Sequence, residues 1–394
     1  MAARNASTAV AKLQDEIPLT LVMAERSAAE GRRPTFVLER GEYQRPGEQV
    51  EPGVPALLGG WHADLPANRL GLARWLTTGA SQLTARVAVN RLWQQCFGAG
   101  LVRTPADFGT QGDPPTHPEL LEWLASEYRD GGWDTKHLLQ LIATSETYRQ
   151  SSVIRQSKAT GADSWDPENR WWSRAGRFRL SHEMLRDSRL RASGLLQTQI
   201  GGPSVKPWQP PGLWEEVSYD GESTWETDSG TGRFRRSLYT FQKRQAPPPA
   251  LLLFDGPTRE KCTLLRARTN TPLQALQLLN DPESLQAARS IAERVLLEGS
   301  DVERIGRVFR IVLTRDARAE EVPLVMGQLA QWRAMYSADL EATADLLAAS
   351  RTEGAASTGG TAESGISESG AAETAAWTVL VHSLFCLDEA VNRR

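Results

Sequence analysis

The chain has 394 residues, 40% of them apolar, with a formal net charge of -3 and a pI near 6.1. That length suits one large domain or two ordinary ones with a sizeable buried core. The charge gives no general electrostatic reason to bind nucleic acid, and local basic clusters read as solvated faces. Three widely spaced cysteines (Cys96, Cys262, Cys386) make no disulfide framework, although one bridge stays open.

Residues 1–17 read as a linker to something upstream, with no apolar core of a secretory signal. No apolar run is long enough to cross a bilayer, so the chain by itself reads as soluble and unexported. Thr35–Leu38 suits a short strand. Gly41, Pro46, Gly47, Pro52, Gly53 and Pro55 then forbid a long helix, and an extended arm is expected. Leu70, Leu72, Ala73 and Leu76 mark a short helix. Thr84 is placed to cap the next, whose apolar face is Val87, Leu92 and Trp93 and which Gly98 and Gly100 end.

The stretch TPADFGTQGDPPTHPELLEWL follows, from Thr104 to Leu124. Thr116 and Glu119 have capping-box spacing, with Pro118 in the first turn, where its missing N–H costs nothing. Leu120, Leu121, Trp123 and Leu124 give the helix its apolar side, up to Gly131. Asp134 suits the next N-cap, with Trp133 placed to staple onto Leu138 in a helix ending near Tyr148. Ser181 caps a helix to about Ser193 between two irregular stretches, 151–180 and 200–232. Phe234–Phe241 has the composition of a strand.

From 269 to 336 the helical periodicity is clearest. Thr271–Gln274 and Ser300–Glu303 are further capping boxes, Asp281-Pro282 opens the helix between them, and another helix covers about Ala319 to Tyr336. Residues 350–374, rich in Gly, Ser, Ala, Thr and Glu, read as a disordered insertion. Trp377–Val391 resumes as one helix. The fold class expected is mainly α: an irregular helical domain with long loops and a few short strands, without a fixed-period repeat.

Four groups of residues have chemistry to offer. Asp107, Asp113 and His117, with Arg103 and Glu119 nearby, suit acid–base work or a metal, but helix capping and a G-D-P-P turn account for most of them. Arg266, Arg268 and Asn270 precede the helix start at Thr271, an arrangement that suits an anion or, equally, capping with ion pairs. Trp165, Trp171, Trp172, Trp208, Trp214 and Trp225 lie in irregular chain, where exposed indoles stack on sugar rings and buried ones fill a core. Asp163–Glu168 carries carboxylates without the EF-hand spacing. Nucleophile-elbow, P-loop and H-E-x-x-H signatures are absent, as are zinc-type spacings and C-x-x-C-H, so the chain carries no haem attachment site and no cofactor is expected in it.

Several phrases occur together: FVLERGEYQRPGEQVEPGVPALL, LTARVAVNRLWQQCFGAGLVRTPADFGTQGDPPTHPELLEWLA, GGPSVKPWQPPGLWEE, RRSLYTFQKRQAPPP and RTNTPLQALQLLNDP. They resemble the planctomycete domain-of-unknown-function family 1553, from about Pro18 to the C-terminus, with 350–374 as a departure. The resemblance implies one domain over 18–394 that closes a large exported or cell-envelope protein. In such proteins it follows a second domain of unknown function and often a cytochrome c-like haem domain. No established active site comes with it. The function expected is a non-catalytic accessory or interaction module of a planctomycete envelope protein, binding a glycan or a partner domain. One alternative is a polysaccharide-active hydrolase or lyase using Asp107, Asp113 and His117. Another is a structural partner of a haem-carrying cytochrome c-like domain.

Overall fold

The computed structural model describes residues 10, 21–26, 31, 33–78, 81–152, 166–219, 221, 224–297, 299–351 and 368–393. Trp165, Asp163, nearly all of the linker 1–17 and most of the insertion (352–367) lie outside the described residues. The elements in chain order are β1 (Thr35–Leu38), β2 (Pro46–Val50), α1 (Arg69–Thr78), α2 (Ser81–Phe97), α3 (Pro118–Asp130), α4 (Thr135–Thr144) and α5 (Glu146–Arg149). Then come β3 (Phe178–Arg179), α6 (His182–Ser193), α7 (Leu213–Glu216), α8 (Pro249–Leu253), α9 (Pro272–Asn280), α10 (Pro282–Leu296) and α11 (Asp301–Leu313). The last are α12 (Glu321–Ala338), α13 (Leu340–Ala349), α14 (Glu368–Phe385), α15 (Asp388–Val391) and β4 (Asn392–Arg393). The fold is mainly α, as expected, with two small two-stranded sheets among the described residues.

The chain divides into two compact units, Met1–Val89 with Leu120–Thr135, and Asn90–Glu119 with Lys136–Arg394. In the first, β1 and β2 form an antiparallel hairpin in which Thr35 faces Val50 and Phe36 faces Gln49. It occupies the stretch expected to be an arm, and Pro46 sits at the first strand position, where no ladder N–H is required. Trp75 is buried on α1 and donates its Nε1–H to the Gly60 carbonyl at 2.9 Å. Gly71 sits where a Cβ would lie 1.8 Å from the Pro66 carbonyl oxygen, so only glycine fits. Glu122 on α3 pairs with Arg86 and accepts from Gln82 at 3.2 Å.

The second unit is organised around α14, which packs against α10, α12 and α13. Its Ala372, Ala375, Ala376, Trp377, Leu380, Val381, Leu384 and Phe385 are all buried, the mark of a helix surrounded by others. Facing residues include Ala288, Ile291 and Val295 of α10 and Leu329 of α12. The capping boxes at Thr271/Gln274 and Ser300/Glu303 are both formed.

Several local expectations are corrected. Phe234–Phe241 forms no strand: Phe234 ends one 3-10 turn (Thr231–Phe234), Ser237–Tyr239 is another, only isolated bridges to Gln197 and Val205 form, and side chains from α6 take the Arg235 carbonyl and the Ser237 N–H. Arg186 donates to the carbonyls of Arg233 and Arg235, and Asp187 accepts from the Ser237 N–H and hydroxyl. α3 begins at Pro118, and the Thr116 hydroxyl donates to the Leu101 carbonyl at 3.3 Å. Thr84 lies inside α2, which starts at Ser81. The last helix starts early, at Glu368, so residues 368–374 of the insertion are helical. It breaks after Phe385, and the chain then pairs β4 with β3.

Candidate functional site

A cleft of about 670 Å³ opens in the second unit beside the end of α2. Its shape is set by a few tight local devices. Asn90, fully buried on α2, donates to the Val102 carbonyl (3.0 Å) and accepts from the Val102 N–H (2.8 Å), so a side chain replaces a strand partner. Residues 166–175 are wound by two polar side chains. The buried Asp166 carboxylate accepts from the N–H groups of Arg170 (2.6 Å) and Trp171 (3.0 Å). Asn169 donates to the Arg174 carbonyl and accepts from its N–H. Trp172 is held at φ 55, a conformation costly for a bulky side chain.

The floor is aromatic. Phe97 stacks on Trp93 at 4.2 Å between centroids, and Trp172 lies 5.1 Å from Phe97. Trp172 is 5% exposed, lines the cleft, and its indole N–H has no partner among the described residues. Such a donor buried without an acceptor costs about 1–3 kcal/mol.

The walls are cationic: Arg103, Arg174, Arg177 and Arg268 line the cleft, with Glu168 as the carboxylate among the described lining residues. Arg103 donates to the Glu168 carbonyl at 2.9 Å and stands 3.9 Å from its carboxylate, while its Nε is buried without a partner among the described residues. Arg268 donates to the Gly98 carbonyl at 2.8 Å and lies over the Phe178 ring at 4.5 Å. Burial, then the nearby Arg179, hold its pKa below the ordinary guanidinium value. Arg174 donates to the carbonyls of Asp166 and Pro167, and Arg177 pairs with Asp388. Gly98 adopts φ +87, and a Cβ there would lie 2.6 Å from Phe178.

Of the sequence candidates, the cleft gathers Arg103, Glu168, Trp172 and Arg268. The others lie elsewhere. Asp107 accepts from the Gly109 N–H at 2.7 Å; Asp113 is exposed; His117 Nδ1 meets the Thr116 hydroxyl at 3.1 Å. No hydrogen bond joins these three side chains to one another. His117 also packs edge-on against Trp171, which is 54% exposed. Arg266 is matched by Glu183 at 2.9 and 3.0 Å, and Asn270 is exposed. Trp208 is 42% exposed beside a separate small cavity, whereas Trp214 is buried against Trp225 and Phe241. Among the described residues no group of three or more His, Cys, Asp or Glu is placed to hold a metal, and no helix is long and apolar enough to cross a membrane.

Arg174, Arg177 and Phe178 escaped the sequence reading. Their signal was the run R-A-G-R-F-R from Arg174 to Arg179, which reads as a solvated basic cluster until its glycine is placed. A Cβ at Gly176 would lie 2.3 Å from the Phe97 carbonyl oxygen, so this run must lie against the end of α2.

No curated protein and no solved structure matches the chain. Residues 68–328 match the model of the PSD1 family, described as protein of unknown function (DUF1553), and the chain belongs to that family.

Proposed function

We propose that the chain is a non-catalytic binding module that takes an acidic glycan in this cleft. The observation that carries the reading is the pairing of an aromatic floor with Arg268, whose guanidinium is held by the Gly98 carbonyl and the Phe178 ring. A carbonyl fixes a guanidinium in place without cancelling its charge, and guanidinium is the group best shaped for a carboxylate or sulfate. A volume of about 670 Å³ suits a ligand of two or three sugar rings. The resemblance described above supports placing the module in a planctomycete envelope protein, with a cytochrome c-like domain as a partner.

The hydrolase or lyase alternative has less support. Two carboxyl groups must flank one sugar bond, and Asp107 and Asp113 belong to a loop outside the residues that line the cleft. The test is calorimetric titration with an oligogalacturonate and with its methyl ester, which has the same rings without the charge. Saturable binding of the free acid alone is expected. Equal binding of both, or of neither, would refute the reading.

A further inference from the structure

A second cavity, of about 60 Å³, lies between α6, α8 and the segment Pro207–Pro210. One water needs about 10–15 Å³ of such space, so it holds roughly four non-hydrogen atoms and no sugar ring. Gln209 lines it, is 8% exposed, and its Nε2 has no hydrogen-bond partner among the described residues. That buried amide lacks an acceptor oxygen.

The charges around it argue against an anion. Glu183, Asp281 and Glu283 line the cavity, with Arg186 as the lining cation. Arg186 is fully engaged: Glu283 accepts two bonds from it, at 2.5 and 2.9 Å, and the carbonyls of Arg233 and Arg235 accept others. Glu183 is matched by Arg266, and Asp281 accepts from the Ser284 hydroxyl and lies 3.8 Å from Arg189. The occupant is therefore neutral. It also meets an acceptor, because His182 lines the cavity and none of the hydrogen bonds among the described residues uses its ring nitrogens. Burial holds His182 at about 4, so the ring is neutral at pH 7 and has one lone pair to offer. Pro248, Ala250 and Leu251 supply an apolar wall, and Trp208 an indole face 42% exposed.

We infer that this cavity is a binding site for a small neutral amide, the acetamido group of an N-acetylated sugar. Its carbonyl accepts from Gln209, its N–H donates to His182, its methyl meets the apolar wall, and the sugar ring lies outside against Trp208. Four non-hydrogen atoms is the size of an acetamide.

The test follows the Gln209 side-chain amide resonance in the full chain with ¹⁵N-labelled glutamine, together with Trp fluorescence. The probes are N-acetylglucosamine, glucose and acetate. N-acetylglucosamine is expected to shift the resonance saturably; glucose lacks the amide and acetate is charged, so neither should. Gln209→Leu should weaken N-acetylglucosamine at least 10-fold while oligogalacturonate binding at the cleft is unchanged. The probe series on the unaltered chain decides the matter even where the variant fails to fold. No saturable shift with N-acetylglucosamine, or an equal response to glucose or acetate, would overturn the assignment. So would undiminished binding to a folded Gln209→Leu chain.

Discussion

Around α14 arginines are matched by carboxylates, while at the cleft Arg268 is held by a carbonyl and a ring. Arg333 reaches Asp301 and Glu373, Arg315 reaches Glu321 and Glu389, and the buried Arg186 is bidentate with Glu283. At the cleft, Arg268 has Gly98's carbonyl and the Phe178 ring, and Arg103 has Glu168's carbonyl with its carboxylate at 3.9 Å. The first set ties helices together and leaves little net field. In the second, Arg177 pairs with Asp388 and Arg103 stands near Glu168, but Arg268 has no carboxylate partner among the described residues. One residue type thus serves cohesion in one region and, in the proposed reading, recognition in another, and the partner decides which.

Breaking the matched set should give the largest effect on stability. Glu283→Gln leaves Arg186 buried without its counter-charge and should cost about 3–5 kcal/mol in urea unfolding. A small loss would mean that carbonyls alone suffice there too, which would erase the contrast. At the cleft, Gly98→Ala forces a side chain into the left-handed region and onto Phe178. The expected cost is about 1–3 kcal/mol, with weakened oligogalacturonate binding, because the Gly98 carbonyl holds Arg268.

Acid should act on the matched set. Hydrogen bonds from Arg315 hold the Glu321 carboxyl at about 2, below its ordinary 4.5. A depressed carboxyl binds fewer protons in the folded state than in the unfolded one. Its contribution is complete above about pH 4.5 and is lost as pH falls towards about 2. Thermal unfolding of Glu321→Gln should show a shallower fall in Tm over that window than the unaltered chain. The smallest effect belongs to Ser300→Ala, about 1 kcal/mol from loss of the capping box at the start of α11.

How much was legible beforehand follows the range of the interactions. The capping boxes at Thr271 and Ser300 and the apolar stripe of α10 are local patterns, and they were read correctly. Phe234–Phe241 looked like a strand, but Arg186 and Asp187, about 50 positions away, took the Arg235 carbonyl and the Ser237 N–H. α13 went unread between a clear helix and a low-complexity stretch. At the cleft, Arg103, Trp172 and Arg268 were each noticed for separate reasons, and nothing in the chain said that they meet. Their convergence depends on Asn90 gripping Val102 and on Gly98 and Gly176 allowing close approach, contacts that no periodicity encodes.

The most direct measurement compares two arginines that sit two positions apart. Arg266 is matched by Glu183 outside the cleft, and Arg268 lines it without a carboxylate partner among the described residues. Oligogalacturonate affinity should fall by about 1.5–3 kcal/mol, roughly 10- to 100-fold, in Arg268→Gln, and stay within twofold in Arg266→Gln. Equal losses in the two variants, or none in Arg268→Gln, would contradict the account.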